Sequence, residues 1–425
     1  MERIVYEQIQ NYFCINDLNT AHQHAYRKGY STATALTQMT DEWLKEIDAG
    51  KIVGSVLLDF SAAFDILDHK LLIKKLHCYG FDRDSVAWIN SYLTNRKYCV
   101  YFNGGFSEMR VMSCGVPQGS CLGPLLFSIF TNDLPLVLNN ASIAMYADDS
   151  TIYSSAFTSR ELEETLNEEL VHIRRWVNIN KLVLNIEKTK CSVLCSKRVG
   201  RVEPRLQLKL DDIEIEQVTE VKLLGVLIDS RMSWTKQIDE MLKKMGRAMA
   251  AIRYCKIYLP RHLIKQLMEA LVLSQLDYCT VIWSNTSECN LNRLQVAQNK
   301  AARIVLNCSY RTRVCDMLSM LNWLPVKSRL YYSLLGFARK VITTRTPVIL
   351  FKNFKFSQDG HEYVTRQSSV GRFLLPVYRT GAGQRTLHYR AMVAWNSLPS
   401  FLVNEASKMV FKIKLKLYLF TQVFI

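Results

Sequence analysis

The chain has 425 residues, of which 49% are hydrophobic and 22% are charged, and its formal net charge at pH 7 is +16. This composition excludes an intrinsically disordered chain and predicts globular domains that bury sizeable cores. The positive charge favours a polyanionic partner, while the lack of a signal peptide and of an apolar run of about 18 residues predicts an intracellular protein, nuclear or cytoplasmic, with no membrane partner.

Strand-like and helix-like segments alternate through residues 51–195. The apolar run Val56-Leu57-Leu58 predicts a buried strand, and the apolar spacing after it predicts a helix that stops at Gly80. Residues 97–102 and 108–113 flank an Asn-Gly-Gly turn, so we expect them to pair as an antiparallel hairpin.

The rest of this region predicts a helix from about Leu122 and two strands around an acidic tip. The strands cover Ser142 to Tyr146 and resume near Ser150. Thr158 and Glu161 match a capping box, which predicts the start of another helix. Together these elements indicate an α+β fold, in which two or three helices back a small split antiparallel sheet.

Beyond Asp229 the pattern changes to helices. Apolar residues recur at helical spacing, and one helix is expected to bury Leu263, Leu267 and Leu271. Residues 341–425 hold 12 lysines and arginines against three acids, so they carry +9 of the net charge. Within this basic tail, Lys412, Lys414 and Lys416 alternate with apolar residues, which predicts an exposed strand.

Three aspartates lie where strands are predicted to end. Asp148 and Asp149 form the hairpin tip, and Asp59 follows the strand that ends at Leu58. If the two strands are neighbours, the three carboxylates can hold two Mg²⁺ ions, which is the arrangement that nucleotidyl transfer requires. A lone Asp-Asp pair is more commonly an exposed turn, because aspartate favours turns.

The surroundings of these aspartates resemble the successive polymerase motifs of reverse transcriptases. The matching segments are LLDFSAAFDILDH from Leu57, GVPQGSCLGPLLF from Gly115, MYADDSTIY from Met145, LNIEKTKCSVL from Leu184 and VKLLGVLID from Val221. They follow the family order, and the resemblance runs from about residue 1 to residue 354. The amino-acid sequences of these segments are most similar to those of the LINE-like, jockey-type and CR1-type non-long-terminal-repeat retrotransposons.

The resemblance implies a right-hand polymerase. Partial fingers at 1–50 would precede a palm at 51–230, a mainly helical thumb-like region at 231–345 and a basic C-terminal region at 346–425. The implied activity is that of an RNA-directed DNA polymerase, which extends a DNA primer on an RNA template with deoxynucleoside triphosphates. Two Mg²⁺ ions, for which Mn²⁺ can substitute, would be held by Asp59, Asp148 and Asp149.

The resemblance also assigns roles to other residues. The residues that it implies contact the nucleotide or the template are Arg27, Lys28, Phe64, Gln118, Gly119 and Tyr146. Phe64 matches the aromatic residue that excludes a 2′-hydroxyl, and Lys188 matches a catalytic lysine near the departing phosphates. Leu224-Gly225 matches the hairpin that grips the primer. Three of these assignments have a structural alternative: Phe64 could be a core phenylalanine, residues 115–119 a rigid turn and Lys188 an exposed surface lysine.

The chain departs from the family pattern at its start. The family has further fingers residues ahead of Glu2-Arg3-Ile4-Val5, so we expect an N-terminally truncated member. Its triphosphate pocket would then lack the part of its lining that those residues supply. A competing hypothesis is therefore an inactive remnant that binds nucleic acid through its charge. Another two-metal polymerase or a cyclase that shares the palm is disfavoured by the GVPQGS segment.

Overall fold

The structure, a computed structural model, describes residues 1–196, 204–357 and 371–424. The chain forms two compact units, the first from the described residues of 1–35, 51–193 and 200–218, the second from those of 36–50, 194–199 and 219–425. Asp359 and Glu362 of the basic tail lie outside the described residues. Within the described ranges, no helix is both long and apolar enough to cross a membrane.

The first unit combines helices with a central sheet and small hairpins. Its helices are α1 (Glu2–Ile15), the first turn of α2 (Thr32–Asp48), α3 (His69–Cys78), α4 (Arg83–Leu93), α5 (Leu122–Phe130) and α6 (Ser159–Ile179), with a 3-10 helix at Leu134–Val137. Its strands are β1 (Ile52–Leu58), β2 (Lys97–Tyr98), β3 (Tyr101–Phe102), β4 (Gly105–Phe106), β5 (Arg110–Val111), β6 (Ser142–Tyr146), β7 (Asp149–Ala156), β8 (Lys190–Leu194), β9 (Lys209–Leu210), β10 (Ile213–Glu214) and β11 (Glu216–Gln217).

The main sheet has the strand order β11-β8-β1-β7-β6 in the described chain. β7 pairs antiparallel with both β1 and β6, so the two predicted strand segments around the acidic tip form a hairpin with β1 beside it. Every residue of β1 except the half-buried Leu57 is buried, because the strand lies in the middle of the sheet. The unit is thus a mixture of helices and sheet, which confirms the coarse prediction.

Helix α6 packs on β1 and β7. The Thr158 hydroxyl accepts a hydrogen bond from the Glu161 N–H at 3.3 Å, which confirms the predicted cap. One face of this helix is apolar and fully buried, with Leu162, Leu166, Leu170, Ile173 and Val177. The helix therefore covers the sheet with the face that its 3.6-residue period defines.

The second unit is mainly helical. Its elements are β12 (Glu220–Leu223), β13 (Val226–Asp229), α7 (Thr235–Cys255), α8 (Arg261–Leu271), α9 (Thr280–Trp283), α10 (Glu288–Leu306), α11 (Val314–Leu321), α12 (Val326–Thr344), α13 (Val348–Phe351), α14 (Gly381–Gln384), α15 (Leu387–Asn396), α16 (Ser400–Val403) and α17 (Lys408–Phe424), with 3-10 helices at Lys256–Tyr258 and Leu273–Leu276. The remainder of α2 also belongs to this unit.

Two predictions for this unit were wrong. The tail segment predicted as an exposed strand is the helix α17, because Phe411, Leu415 and Leu419 recur every four residues and are all buried. In α8 the buried residues are Ile264 and Met268, whereas Leu263 and Leu271 are exposed. In the tail the predicted period was wrong, because the buried residues follow a helical spacing and not the alternation of a strand. In α8 the helical period was correct, but the buried face was placed on the wrong side of the helix, because local spacing does not identify the packing partner.

Two buried aspartates of α2 hold backbone N–H groups of the second unit. The Asp48 carboxylate accepts hydrogen bonds from the N–H groups of Arg379, Thr380 and Gly383, at 2.9, 2.7 and 3.3 Å. Asp41 accepts from the Leu387 N–H at 2.6 Å and from His388 Nδ1 at 2.8 Å. Both aspartates therefore cap the starts of α14 and α15 from a segment more than 300 residues away in sequence.

Replacing Asp48 by asparagine is expected to destabilise the second unit by about 2 kcal/mol at pH 7, because hydrogen bonds to a charged acceptor are lost. Burial alone would raise the pKa of Asp48, but the hydrogen bonds from Arg379, Thr380 and Gly383 outweigh it and lower the pKa below its ordinary value of 3.8. The stabilisation is therefore complete above that pH and is lost as the pH falls through the lowered pKa.

Urea unfolding at several pH values checks this expectation. The control variant is Asp316→Asn, because Asp316 is an exposed aspartate of α11. The unfolding free energies of the parent chain and of Asp48→Asn should differ at pH 7 and converge below pH 3.8. A constant difference between the two down to the lowest pH would contradict the role of the Asp48 charge.

Candidate active site

The three predicted metal-binding aspartates meet at one end of the main sheet. In the hairpin register Tyr146 pairs with Asp149, which leaves Ala147 and Asp148 as the two turn residues. In the neighbouring ladder Leu58 pairs with Ser150, and the same register, continued by one residue beyond β1, sets Asp59 opposite Asp149. The strand register therefore places the three residues at the same end of the sheet.

The carboxylates influence one another electrostatically. Loss of solvation raises the pKa of Asp149, and the nearby charges of Asp148 and Asp59 raise it further. Across the residues that the structure describes, no group of three or more histidine, cysteine, aspartate or glutamate side chains is arranged to hold a metal ion. The observed feature is thus Asp149 at the start of β7, with the charges of Asp148 and Asp59 close enough to raise its pKa.

The turn itself is held by Gln23, a residue that the sequence did not single out. Ala147 has a φ of +58°, a conformation that hairpin turns usually give to glycine. The Gln23 side chain is 3% exposed; its Oε1 accepts from the Ala147 N–H at 3.0 Å and its Nε2 donates to the Ala147 carbonyl at 3.3 Å. One amide thereby satisfies both backbone polar groups of Ala147.

The segment around Gln23 is attached to the outer edge of β6. The His24 N–H donates to the Met145 carbonyl at 2.8 Å, and the Met145 N–H donates to the His22 carbonyl at 2.9 Å. The segment continues to Tyr26, whose pKa is raised by loss of solvation and by the charge of Asp148. Neither the composition nor the local period of this segment reveals these contacts.

The basic pair that was predicted to contact phosphate has two different environments. The Arg27 guanidinium donates to the carbonyls of Thr20 and Gln23, at 2.5 and 3.1 Å, and lies 4.1 Å from the centre of the Tyr30 ring. Lys28, by contrast, is exposed. Arg27 therefore supports the Gln23 segment from within, while Lys28 presents its charge to solvent.

The predicted nucleotide-binding loop folds onto the turn that follows Asp59. The Val116 N–H donates to the Phe64 carbonyl at 2.8 Å, and the Gln118 amide donates to the Asp65 carboxylate at 2.8 Å. The Phe64 ring is half-buried and stacks on Phe127, with ring centres 4.4 Å apart. Phe64 and Gln118 are thus brought together, and Gly119 follows Gln118 with a φ of +79°.

The loop that carries Lys188 is hydrogen-bonded to the backbone of Asp59. The Asn185 N–H donates to the Asp59 carbonyl at 2.8 Å, and the Thr189 hydroxyl donates to the Asn185 carbonyl at 2.9 Å. The Lys188 N–H donates to the Asn185 side-chain oxygen at 3.2 Å, and its side chain is exposed. The structure therefore attaches the lysine loop to the strand that ends in the first aspartate.

The predicted primer-binding residues belong to the second unit. Leu224 and Gly225 form the two-residue turn between β12 and β13, with φ values of +45° and +81°. The Tyr278 hydroxyl donates to the Leu224 carbonyl at 2.5 Å, which holds the turn against the helical part of that unit. The hairpin predicted at this position is confirmed.

Comparison with known proteins identifies relatives of the chain. The family model described as "Reverse transcriptase (RNA-dependent DNA polymerase)" matches residues 1–228. The chain is 28% identical over 339 residues to "Probable RNA-directed DNA polymerase from transposon BS" of Drosophila melanogaster, an alignment that covers 77% of this chain and 37% of that protein. It is 25% identical to "RNA-directed DNA polymerase from mobile element jockey" of Drosophila funebris, over 75% of this chain and 35% of that protein.

Among solved structures, apo telomerase from Candida tropicalis matches with a TM-score of 0.42 at 10% identity, over 82% of this chain and 60% of that chain. The chain spans little more than a third of the length of the curated relatives that it matches. The family match nevertheless covers more than half of the chain and includes all three aspartates and the loop at residues 115–119. The chain therefore belongs to the reverse transcriptase family, and its relatives include polymerases of jockey-type retrotransposons.

Proposed function

We propose that the chain is an RNA-directed DNA polymerase of a retrotransposon, which transfers deoxynucleotides to a primer 3′-hydroxyl on an RNA template. The observation that carries this proposal is the register that sets Asp59 opposite Asp149, beside the Asp148 turn, in a member of the reverse transcriptase family. The substrates are a polyanionic template and primer, in keeping with the net charge of +16.

The carboxylate cluster fits divalent cations by its chemistry. Hard cations prefer carboxylate oxygens, and a cation would offset both the loss of solvation and the repulsion that raise the pKa of Asp149. We propose that Asp59, Asp148 and Asp149 hold two Mg²⁺ ions, for which Mn²⁺ can substitute. When bound, such ions activate the attacking hydroxyl and stabilise the leaving pyrophosphate. The backbone register supports this assignment, and it stays the same when the three side chains rotate to bind a metal ion.

Other residues of the first unit would bind and orient the substrates. We infer that Phe64 lies under the incoming sugar and excludes a 2′-hydroxyl, while Gln118, Gly119 and Tyr146 contact the nucleotide or template. Lys28 and Lys188 are exposed and can meet phosphate groups directly. Arg27 would have to exchange its carbonyl partners at Thr20 and Gln23 for a phosphate.

The division into polymerase subdomains is also part of the proposal. We infer fingers at residues 1–50, a palm at 51–230 and a thumb-like helical region at 231–345, followed by a basic region at 346–425. The β12–β13 turn at Leu224-Gly225 would contact the primer end.

Primer extension tests the proposed function. The purified chain is supplied with an RNA template, a DNA primer, Mg²⁺ and deoxynucleoside triphosphates, and the product length is measured with and without EDTA. Extension that stops at the template end and disappears with EDTA is expected. Salt-sensitive binding of the same duplex without any extension would instead support the inactive, nucleic-acid-binding remnant.

An exposed aromatic hairpin supports nucleic-acid binding by the first unit. The strands β2 to β5 carry Tyr101, Phe102 and Phe106, which are 64%, 82% and 75% exposed. Three basic residues in 96–111 oppose the single acid Glu108. Exposed rings between cations bind single-stranded nucleic acid by stacking on its bases, so we propose that this hairpin contacts the unpaired template.

Replacing both Phe102 and Phe106 by serine is expected to weaken binding of single-stranded RNA by about tenfold or more, since each stacked base contributes about 1–3 kcal/mol. Fluorescence anisotropy with a labelled oligoribonucleotide measures the dissociation constant. Phe157→Ser is the matched control, because Phe157 is 65% exposed but lies outside the hairpin. Equal affinities for all three proteins would rule out the hairpin as an RNA contact.

A further inference from the structure

We propose that Gln23 is a positioning residue for polymerisation, which holds the Ala147 turn so that the carboxylates of Asp148 and Asp149 face the metal site. The inference rests on the proposed function and adds to it a residue outside the five motif segments between Leu57 and Asp229. It follows from the buried two-way hydrogen bond between the Gln23 amide and the backbone of Ala147.

The turn needs an external restraint. A residue with a β-carbon is disfavoured at positive φ, and Ala147 adopts a φ of +58° directly before Asp148. Ala147 is 7% exposed, so water cannot readily replace a lost partner of its N–H or carbonyl. The Gln23 side chain supplies both partners and also accepts from the Ala25 N–H at 3.0 Å, which fixes the amide orientation.

The restraint can be removed without detaching the segment. The backbone of the segment remains joined to β6 through the hydrogen bonds of His22 and His24 with Met145. Methionine has nearly the shape of glutamine but cannot form the amide hydrogen bonds. Gln23→Met therefore removes the restraint on Ala147 while leaving the chain path and most of the packing in place.

The chain offers a chemically matched control in Gln217 on β11, at the opposite edge of the sheet. The Gln217 Oε1 accepts from the Leu206 N–H at 2.9 Å, and its Nε2 donates to the Pro204 carbonyl at 2.9 Å. Gln217→Met thus removes the same kind of hydrogen-bond pair from a half-buried glutamine at the edge of the sheet opposite the Gln23 segment. Any general loss of stability should be common to both variants.

The test measures kcat and KM in primer extension, and Mn²⁺ affinity of the protein alone by electron paramagnetic resonance. Gln23→Met is expected to lower kcat and Mn²⁺ affinity about tenfold or more, as loss of a residue that orients metal ligands does, while KM changes by less than about threefold. Adding Ala147→Gly should restore part of both quantities, because glycine adopts positive φ without a steric cost. Gln217→Met should change neither quantity.

Unchanged kcat and Mn²⁺ affinity in Gln23→Met would overturn the inference. So would a loss that Gln217→Met shares or that Ala147→Gly does not recover, because both would indicate general destabilisation. If the parent extends no primer, the proposed function fails, and the Mn²⁺ titration still decides the role of Gln23. A parent that also binds no Mn²⁺ would overturn both.

Discussion

Primer extension is expected to fall by about a thousandfold when Asp148 is replaced by asparagine, because several kcal/mol of transition-state stabilisation depend on metal-bound carboxylates. Asparagine preserves the size of the side chain and can occupy the same turn. The turn conformation is set at Ala147 by Gln23 and not by the Asp148 carboxylate. The loss should therefore appear in kcat, with the protein still folded and bound to its primer–template.

The same change at Asp59 should cause a comparable loss, because Asp59 lies opposite Asp149 in the sheet register. Asp84→Asn is the matched control, since Asp84 is exposed in the first turn of α4 and its replacement alters the net charge equally. Single-nucleotide incorporation under saturating substrate measures kcat for each protein. If Asp148→Asn and Asp59→Asn keep the activity of the Asp84 control, the assigned metal site is wrong.

Replacing Gly115 by alanine is expected to destabilise the first unit by about 3 kcal/mol or more, which combines backbone strain with a steric clash. Gly115 has a φ of +81°, and an added β-carbon would lie 2.5 Å from the Asp65 carbonyl oxygen and 2.8 Å from its Cα. These are backbone atoms and cannot rotate away. The loop is also fixed by the Gly115 N–H, which donates to the Leu67 carbonyl at 2.7 Å.

Gly119→Ala separates the two causes. Gly119 has a similar φ of +79°, but nothing lies within 4 Å of the position that its β-carbon would occupy. Its replacement should cost only the conformational penalty, about 1–2 kcal/mol. Urea unfolding of the three proteins gives the free energies of unfolding. Equal losses in the two variants would show that Gly115 is needed for its φ alone and not for the close approach to Asp65.

Local pattern was sufficient for the elements that carry the proposed chemistry. The apolar run before Asp59, the strand at residues 142–146 and the cap at Thr158 each depend on neighbours within a few residues, and each was predicted near its observed position. The glycines and proline of the segment from Gly115 likewise marked a tight loop. The family resemblance rested on these same short segments, which the family match over residues 1–228 confirms.

Local pattern did not identify contacts between distant segments. Gln23 meets Ala147 across 124 residues of sequence, and Asp48 meets Thr380 across 332. The residue type does not show whether a glutamine or an aspartate is buried. Composition and period therefore could not distinguish Gln23 and Asp48 from exposed residues of the same type. The basic tail failed for a different reason: alternating lysines suit a strand, but Phe411, Leu415 and Leu419 recur every four residues and form the buried face of a helix.

The sequence by itself thus determined three strands of the main sheet, β1, β6 and β7, together with the acidic turn and the covering helix, because period, turn chemistry and capping act over a few residues. Tertiary structure alone decided that Asp59 stands opposite Asp149, that Gly115 lies against the backbone of Asp65, and that Gln23 holds the turn at Ala147. These arrangements depend on strand register and on hydrogen bonds between buried groups, which form only when distant segments pack together.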